Sequence, residues 1–270
     1  MASAEQFLNE PGLKQQVIEE YRASGYVILS DVYDERVLSS MRKTWQNISE
    51  ERGAHGKKPF VTLLMAHNAY PEVADIVRHR PLVKCVEGLL GSRVEMIQSQ
   101  LMFGAPGTSG FSPHQDNFYN RADPNDGIIA AWIALEPVDQ QNGGLGVYPG
   151  SHKKGLVETR QDWLYLLSRS PDILKSLVRL ASPRLRAEAN DSGVMERFVY
   201  ALPPTGLNLV GLSMEPGSVV FMHGDLIHSS FPNRTTDRAR RSLLANYVRV
   251  GTSYASGRLT GRTRFELYPG

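Results

Sequence analysis

His114 and Asp116, whose side chains can both bind a metal, are separated by one residue near the middle of the chain. In an extended strand, side chains two positions apart point to the same face. This spacing would direct an imidazole and a carboxylate the same way, with Gln115 on the opposite face. One metal ion could contact both groups. The pair therefore predicts part of a metal site whose other ligands come from elsewhere in the sequence.

Candidates for a third ligand occur much later, where His223 and His228 lie in the segment 216–230. Two histidines and one carboxylate on one side of a metal form the facial ligand set of non-haem Fe(II) oxygenases, which leaves positions open for a bidentate co-substrate and oxygen. A structural zinc site would need four protein ligands, commonly cysteines, and the chain has only Cys85. The residue types favour a catalytic iron site, with either histidine as its third ligand.

A bidentate organic diacid at such an iron also needs a partner for its far carboxylate. The planar guanidinium of arginine matches a carboxylate through two parallel hydrogen bonds. Arg240 and Arg241 are candidates because they stand where a predicted strand begins, after His228. Ser230 would share the face of His228 in an extended segment and could add a hydroxyl group to the same anion.

Several motifs, taken together and in order, resemble the phytanoyl-CoA dioxygenase family of Fe(II)/2-oxoglutarate oxygenases. They are His114-Gln-Asp116, Ala131-Trp-Ile-Ala-Leu135, Asn142-Gly-Gly-Leu145, Pro149-Gly-Ser-His152, Gly224-Asp-Leu-Ile-His228-Ser-Ser230 and the late Arg240. The match extends from about residue 25 to residue 250. The resemblance implies that His114, Asp116 and His228 bind iron, with Fe(II), 2-oxoglutarate and O2 as cofactors and co-substrates.

The resemblance also implies a site for 2-oxoglutarate. Arg240 would bind its far carboxylate with Ser230 beside it, and Trp132 would stand against the same molecule. Gln100, an amide on a predicted barrel strand, is a further candidate contact. The interval from the last iron ligand to Arg240 looks one residue longer than the family spacing, which keeps Arg241 as an alternative.

The reaction type follows from the same resemblance. Halogenating relatives carry a small residue where this chain has Asp116, so the carboxylate favours hydroxylation, here of a small organic molecule in specialised or catabolic metabolism, with succinate and CO2 released. Some members add a lysine from the N-terminal region, for which Lys57 and Lys58 are candidates. The alternatives are a non-catalytic jelly-roll binding protein and a metal-dependent hydrolase or isomerase on the same barrel.

Residues expected in the substrate pocket lie on predicted barrel strands or close to the metal-binding motifs. They are Gln98, Met102, Phe103, Phe118, Tyr119 and His223. Two amides, Gln98 and Gln100, share a strand face with Met102, and amides that point into a barrel need hydrogen-bonding partners. For the aromatic residues, and for Trp132, packing in the core is the alternative interpretation.

The elements that must position these residues divide the chain into two regions. Apolar residues recur at helical spacing in 12–23, 34–52 and 71–90, with a short β-type run at 25–29. From residue 93 the pattern changes to short strands separated by glycine and proline, interrupted by a charged insert at about 156–205. We therefore expect one domain over residues 1–270, with a helical portion at about 1–92 and a barrel at about 93–250. The resemblance implies a mainly β fold, a double-stranded β-helix or jelly-roll barrel with a helical buttress.

Composition excludes several classes of partner. The 270 residues carry 30 Lys and Arg against 28 Asp and Glu, a net charge of +2, so the chain has no basic footprint for nucleic acid or an anionic membrane. A single cysteine excludes a disulfide framework. The first sixteen residues lack the basic start and apolar run of a signal peptide, which predicts a cytoplasmic protein with a small-molecule substrate.

Overall fold

The computed structural model describes residues 1–54, 62–161, 199–257 and 260–268. Within these ranges the helices are α1 (Ala4–Asn9), α2 (Pro11–Ser24), α3 (Glu35–Ala54), α4 (Pro71–Val77), α5 (Arg80–Leu90) and α6 (Asp116–Asn120). The strands are β1 (Ala2–Ser3), β2 (Tyr26–Ser30), β3 (Thr62–Leu64), β4 (Val94–Gly104), β5 (Ile128–Ala134), β6 (Leu145–Val147), β7 (Thr159–Gln161), β8 (Val199–Ala201), β9 (Val210–Gly211), β10 (Val219–His223), β11 (His228–Ser230) and β12 (Arg240–Arg249). None of the described helices combines the length and hydrophobicity that a bilayer crossing requires.

Two sheets form the body of the described structure. The larger has seven strands in the order β1-β2-β10-β5-β12-β4-β3, antiparallel throughout except for the parallel pair β1-β2. The smaller has the order β11-β6-β9. Neighbours that are distant in sequence, such as β10 beside β2 and β12 beside β4, give the winding of a jelly roll. The predicted double-stranded β-helix is confirmed.

Alternation along the strands gives the large sheet two different apolar faces. On β5, Ala131 and Ile133 pack with the helices in one core, whereas Ala130, Trp132 and Ala134 belong to a second core between the sheets. Because both faces are covered, every residue of β5 is buried. Burying a large aliphatic side chain contributes about 1.5–3 kcal/mol, so the helices stabilise the strands that carry the site.

The helices predicted at 12–23 and 34–52 are confirmed as α2 and α3. Helix α2 ends at Gly25, whose φ of 85° is left-handed. A Cβ atom there would also lie 2.4 Å from Nδ1 of His152, so only glycine fits this junction. Helix α1 was not predicted from the sequence, although Ser3 and Gln6 form a capping box at its start.

The single helix predicted at 71–90 is wrong. The structure has two helices there, α4 and α5, with a break at Arg78 and His79. Proline has no amide hydrogen and disfavours helical geometry in the residue before it, so Pro81 belongs in the first turn of a new helix. It lies in the first turn of α5.

The extended strand predicted around His114 and Asp116 is also wrong. His114 makes only an isolated bridge with His228, and Asp116 begins α6 after the extended residue Gln115. The portion predicted as helical at about 1–92 also supplies β1, β2 and β3 to the large sheet. Most of the predicted insert, residues 162–198, lies outside the described residues, as do Lys57 and Lys58.

Candidate active site

Three side chains that could bind a metal converge between the two sheets: His114, Asp116 and His228. One ligand atom from each lies within 4.8 Å of the others. Oδ1 of Asp116 is 3.8 Å from Nε2 of His114 and 3.7 Å from Nε2 of His228. The structure thus brings together the predicted trio, although its members come from a bridge, a helix start and a short strand.

Carbonyl groups fix the hydrogen on each imidazole. Nδ1 of His114 lies 2.8 Å from the carbonyl oxygen of Ser112, and Nδ1 of His228 lies 3.0 Å from that of Leu226. Because a carbonyl oxygen can only accept, both Nδ1 atoms carry hydrogen and donate, which leaves the lone pair of each Nε2 toward Asp116. Burial lowers the pKa of His114, so its imidazole is neutral and able to bind a metal near pH 7.

The carboxylate of Asp116 lacks a hydrogen-bonding partner for one oxygen. Oδ2 is buried and accepts no hydrogen bond from the described residues. A buried carboxylate without a donor is costly unless a cation compensates it. Two neutral imidazoles and one carboxylate are also the donor set that non-haem Fe(II) sites use. The residues therefore fit a divalent iron ion.

Gln115 holds the turn between the two candidate ligands. Its buried amide donates to the carbonyl oxygens of Gly155 at 2.8 Å and Asp225 at 2.7 Å, and accepts from the amide of Val157 at 2.9 Å. It points away from the metal trio, so the predicted opposite orientation of this residue is found even though the strand is not. Three contacts to main chain in two separate segments make it a positioning residue.

A cavity beside the trio contains a buried cation. Arg240 is only 6% exposed, and its Nη1 donates to Oγ of Ser242 at 3.1 Å. Its Nε is buried with no partner among the described residues, and its Cζ lies 5.8 Å from the ring centroid of Trp132. Burial lowers the pKa of Arg240 to about 10. A guanidinium held this way still needs an anion, which fits the far carboxylate of a diacid.

The register of β12 separates Arg240 from Arg241. Arg240 pairs with Gly104 and points between the sheets, whereas Arg241 pairs with Phe103 and points to the other face. There Arg241 forms an ion pair with Glu136, which also accepts a hydrogen bond from the Arg241 amide at 2.8 Å. Arg241 is thus already neutralised by protein and does not line the cavity.

Four further residues predicted for co-substrate or substrate line the same cavity. They are Ser230, Trp132, Gln100 and Met102. Oγ of Ser230 accepts a hydrogen bond of 2.8 Å from the amide of Phe111, so this hydroxyl is fixed in position while its hydrogen stays available.

Five residues predicted for the pocket lie outside the cavity lining. Gln98 accepts a hydrogen bond from Arg262, and Phe103 packs on the helical side of the sheet. Phe118 and Tyr119 follow Asp116 into α6, where Tyr119 is 46% exposed. The ring centroid of His223 lies 5.0 Å from that of His152.

Sequence reasoning missed the apolar walls of the cavity. They are Phe111, Leu145, Met222 and Leu244. Alternation along the strands was the available signal, because Met222 lies two residues from Val220 on β10 and Leu244 lies opposite Trp132 on β12. Arg262, from the C-terminal segment, was missed for lack of any strand pattern around it.

Comparisons with known proteins agree with this geometry. The family model for phytanoyl-CoA dioxygenase (PhyH) matches residues 21–242. The chain is 28% identical to phytanoyl-CoA dioxygenase domain-containing protein 1 from Mus musculus over 196 residues, 71% of this chain and 58% of that protein's length. It is 28% identical over 236 residues to 1-deoxypentalenic acid 11-beta-hydroxylase from Streptomyces arenae, covering 81% of this chain and 75% of that protein.

Among solved structures, the epimerase SnoN in complex with Fe3+, alpha ketoglutarate and nogalamycin RO is similar with a TM-score of 0.68. The sequences are 19% identical, and the match covers 91% of this chain and 87% of that one. At this identity the likeness supports the fold alone. The family match, by contrast, spans most of the sequence and includes His114, Asp116, His228 and Arg240. The chain therefore belongs to the phytanoyl-CoA dioxygenase (PhyH) family.

Proposed function

We propose that this protein is an Fe(II)- and 2-oxoglutarate-dependent oxygenase that hydroxylates a small organic molecule and releases succinate and CO2. The observation that carries the proposal is one cavity lined both by the trio His114, Asp116 and His228 and by the buried cation Arg240. Family membership supports it, as does the hydroxylase named among the relatives. The chain spans 58% of the length of the mouse relative, so the activity is proposed from this chain's own site.

Each residue has a definite task in this proposal. His114, Asp116 and His228 would hold the iron through two neutral imidazoles and one carboxylate. Arg240 would bind the far carboxylate of 2-oxoglutarate. When bound, iron and 2-oxoglutarate together would supply the oxidative chemistry that hydroxylates a C–H bond. The carboxylate of Asp116 supports hydroxylation over halogenation.

Other residues of the cavity orient the co-substrate and exclude water. Trp132 places its ring beside the guanidinium of Arg240, which limits where a diacid can lie. Leu145, Met222 and Leu244 supply apolar walls, and a cavity lined this way strengthens the attraction between Arg240 and a carboxylate. Binding, orientation and exclusion of water are the contributions of the protein.

The whole chain would act as one oxygenase domain on a free small molecule, without nucleic acid or membrane partners, in the cytoplasm. The near-neutral charge of +2 and the single cysteine support this part of the proposal. Strands β2 and β3, from the N-terminal portion, extend the sheet that contains β12, which supports a single domain.

An anaerobic titration tests the proposal. Fe(II) and then 2-oxoglutarate are added to the purified full chain, and we expect the weak visible charge-transfer band of a chelated 2-oxo acid. His228→Gln should abolish the band. His79→Gln is the matched control, since His79 stacks on Tyr33 outside the cavity lining and its loss should leave the band unchanged.

Three outcomes would contradict the proposal. Iron binding without the band would favour a metal-dependent hydrolase or isomerase. Failure to bind iron at all would favour a non-catalytic binding protein. A band that forms normally in air-free samples, with no succinate after oxygen is admitted in the presence of candidate organic substrates, would leave a co-substrate site without oxygenase activity.

A further inference from the structure

A second buried guanidinium, Arg262, lies in the C-terminal segment after the last strand of the barrel. It is only 6% exposed. Its Nε donates to Oε1 of Gln98 at 2.6 Å, and its Nη1 donates to the carbonyl oxygens of Tyr119 at 3.3 Å and Ala255 at 3.2 Å. Residue 262 is also outside the range that the family model matches.

The charge of Arg262 is not neutralised by a contacting acid. In the described part of the chain, no carboxylate lies within ion-pair distance of Arg262, and all three of its acceptors are neutral. Its Nη2, which carries two hydrogens, has no hydrogen-bond acceptor among the described residues. The Nη2 edge is the part of the guanidinium that the protein leaves free, and an anion that reached it would neutralise a cation that is only 6% exposed.

The surroundings of Arg262 connect it to the candidate active site. Gln98 accepts a hydrogen bond from Arg262. Its Nε2 in turn donates to Oε1 of Gln100 at 3.4 Å, and Gln100 lines the cavity. Tyr119, another acceptor, lies in the helix that Asp116 begins. Burial lowers the pKa of Arg262, and the negative charge of Asp116 offsets part of that lowering.

Arg240 and Arg262 lie beside different parts of β4, Arg240 at its end and Arg262 near its middle. A Cβ atom at Gly104 would lie 3.1 Å from Arg240, whereas Arg262 contacts Gln98. Six residues of strand separate those positions, about 20 Å at roughly 3.3 Å per residue. One carboxylate of 2-oxoglutarate at Arg240 therefore leaves Arg262 for a different molecule.

A further polar atom near Gln98 lacks a protein partner. Asn246 pairs with Gln98 across β12 and β4, and its Oδ1 is buried without a hydrogen-bond donor among the described residues. Buried polar atoms in folded proteins almost always have partners, so this amide oxygen needs a hydrogen-bond donor, such as a hydroxyl group of a ligand or a water molecule.

We propose that Arg262 binds the carboxylate of the organic substrate, which makes the substrate an organic acid. The assignment rests on the proposed oxygenase function, because it places the acid on the Asp116 side of the iron site and 2-oxoglutarate on the Arg240 side. Arg262 is thus a specificity-determining residue: neutral analogues of the substrate leave its guanidinium buried and unpaired.

The experiment compares benzoate with its neutral, similarly shaped amide, benzamide, as probes of the full chain. Binding is measured by ligand-observed NMR in the wild type, R262Q, R262K and R240Q, each with 2-oxoglutarate at saturation so that Arg240 is occupied where it can be, and thermal melting checks that each variant is folded. The anaerobic charge-transfer band measures 2-oxoglutarate binding on the same preparations. We expect the wild type to bind benzoate at least about tenfold more tightly than benzamide, as for a charge-assisted hydrogen bond.

Variants of the two arginines should give different results in this test. R262Q should lose the preference for benzoate and keep the band, whereas R240Q should lose most of the band and keep the preference. If R262Q fails to fold, R262K, which keeps the charge but loses the planar fork, should still show a preference reduced several-fold.

Contrary outcomes are equally distinct. A wild type with no preference, a preference that survives undiminished in R262Q or R262K, or one that disappears only in R240Q would overturn the assignment. A wild type without a charge-transfer band, combined with a preference that R262Q abolishes, would contradict the oxygenase function while leaving an anion site at Arg262.

Discussion

His114 and His228 exchange two backbone hydrogen bonds, 2.9 Å from the amide of His114 to the carbonyl oxygen of His228 and 3.0 Å in return. This reciprocal arrangement is that of a hydrogen-bonded pair in an antiparallel ladder, where the Cα atoms are about 5.5 Å apart. The separation of the two imidazoles is therefore set by main chain. Neither side chain is needed to hold the two segments together.

Replacing either histidine by alanine should remove metal binding without unfolding the protein. Because the bridge uses only backbone atoms, we expect the melting temperatures of metal-free H114A and H228A to stay within about 4 °C of wild type, as for a loss of about 1 kcal/mol. Fe(II) binding should fall below detection. Variants that melt normally and still bind one Fe(II) tightly would show that the trio is not the metal site.

Arg240 and Arg241 should differ in their effect on 2-oxoglutarate. R240Q removes the unneutralised guanidinium of the cavity, so the apparent affinity for 2-oxoglutarate should fall about 10- to 100-fold, the range of one charge-assisted contact. R241Q breaks only the ion pair with Glu136 and should leave that affinity unchanged. The charge-transfer titration measures both. Equal effects from the two variants would reject the assignment of Arg240.

Gly110 should tolerate no side chain. A Cβ atom there would lie 1.8 Å from the carbonyl oxygen of Ser230, which is main chain and cannot move aside freely. G110A should lower the free energy of unfolding by about 2 kcal/mol or more and weaken 2-oxoglutarate binding by displacing Ser230. Gly12, with nothing within 4 Å, is the control, and G12A should be neutral or slightly stabilising. Chemical denaturation of both variants checks the difference.

Gln115 should matter for stability through its three main-chain contacts. Q115L keeps the approximate size of the side chain but removes the partner of two carbonyl oxygens and one amide, which are buried or partly buried. At about 1–3 kcal/mol for each unsatisfied group, we expect a loss of roughly 3 kcal/mol. Q46L, at an exposed glutamine whose side chain donates a hydrogen bond to Glu50, should cost almost nothing. A Q115L protein as stable as Q46L would contradict the positioning role.

Stability should decrease on acidification, and His67 should contribute to the decrease. Burial, and secondarily the positive charge of Arg78, lowers the pKa of His67 from 6.5 to about 4. Between these values the unfolded chain binds a proton that the folded chain does not, so this contribution is complete above pH 6.5 and is lost as pH falls toward 4. H67Q removes the titrating group. Its melting temperature should therefore drop less between pH 7.5 and pH 5 than that of wild type, and equal drops would contradict the assignment.

Much of the fold and the core of the site could be predicted from sequence because both depend on local patterns. Helical periodicity located α2 and α3, and the spacing of His114 and Asp116 pointed to one ion, for which the family resemblance selected His228 over His223. The sequence alone did not show that the chain turns into a helix at Asp116. That turn carries Phe118 and Tyr119 away from the cavity in which a strand would have placed them.

The choice between Arg240 and Arg241 depended on register, which pairing with β4 and β5 determines and no local pattern reveals. The position of Arg262 depends on how the C-terminal segment returns to Gln98, a contact across 164 positions of the chain. Its surroundings lack periodicity, so only the three-dimensional arrangement identifies it. Long-range contacts of this kind account for most of what sequence reasoning missed.

The segment 231–239 leaves the small sheet at Ser230 and enters the large sheet at Arg240, and Asn233 pins it through the carbonyl oxygens of Gly104 and Arg238. The length of this segment therefore does not determine the position of Arg240, which depends on the pairing of β12 with β4 and β5. During divergence, the loop can gain or lose single residues and bulge into solvent, provided that the phase of β12 is kept. A single-residue insertion inside β12, by contrast, would exchange the arginine that faces the cavity for one that faces the helices. Selection on this part of the chain should conserve the register of β12, while the length of the loop is free to vary.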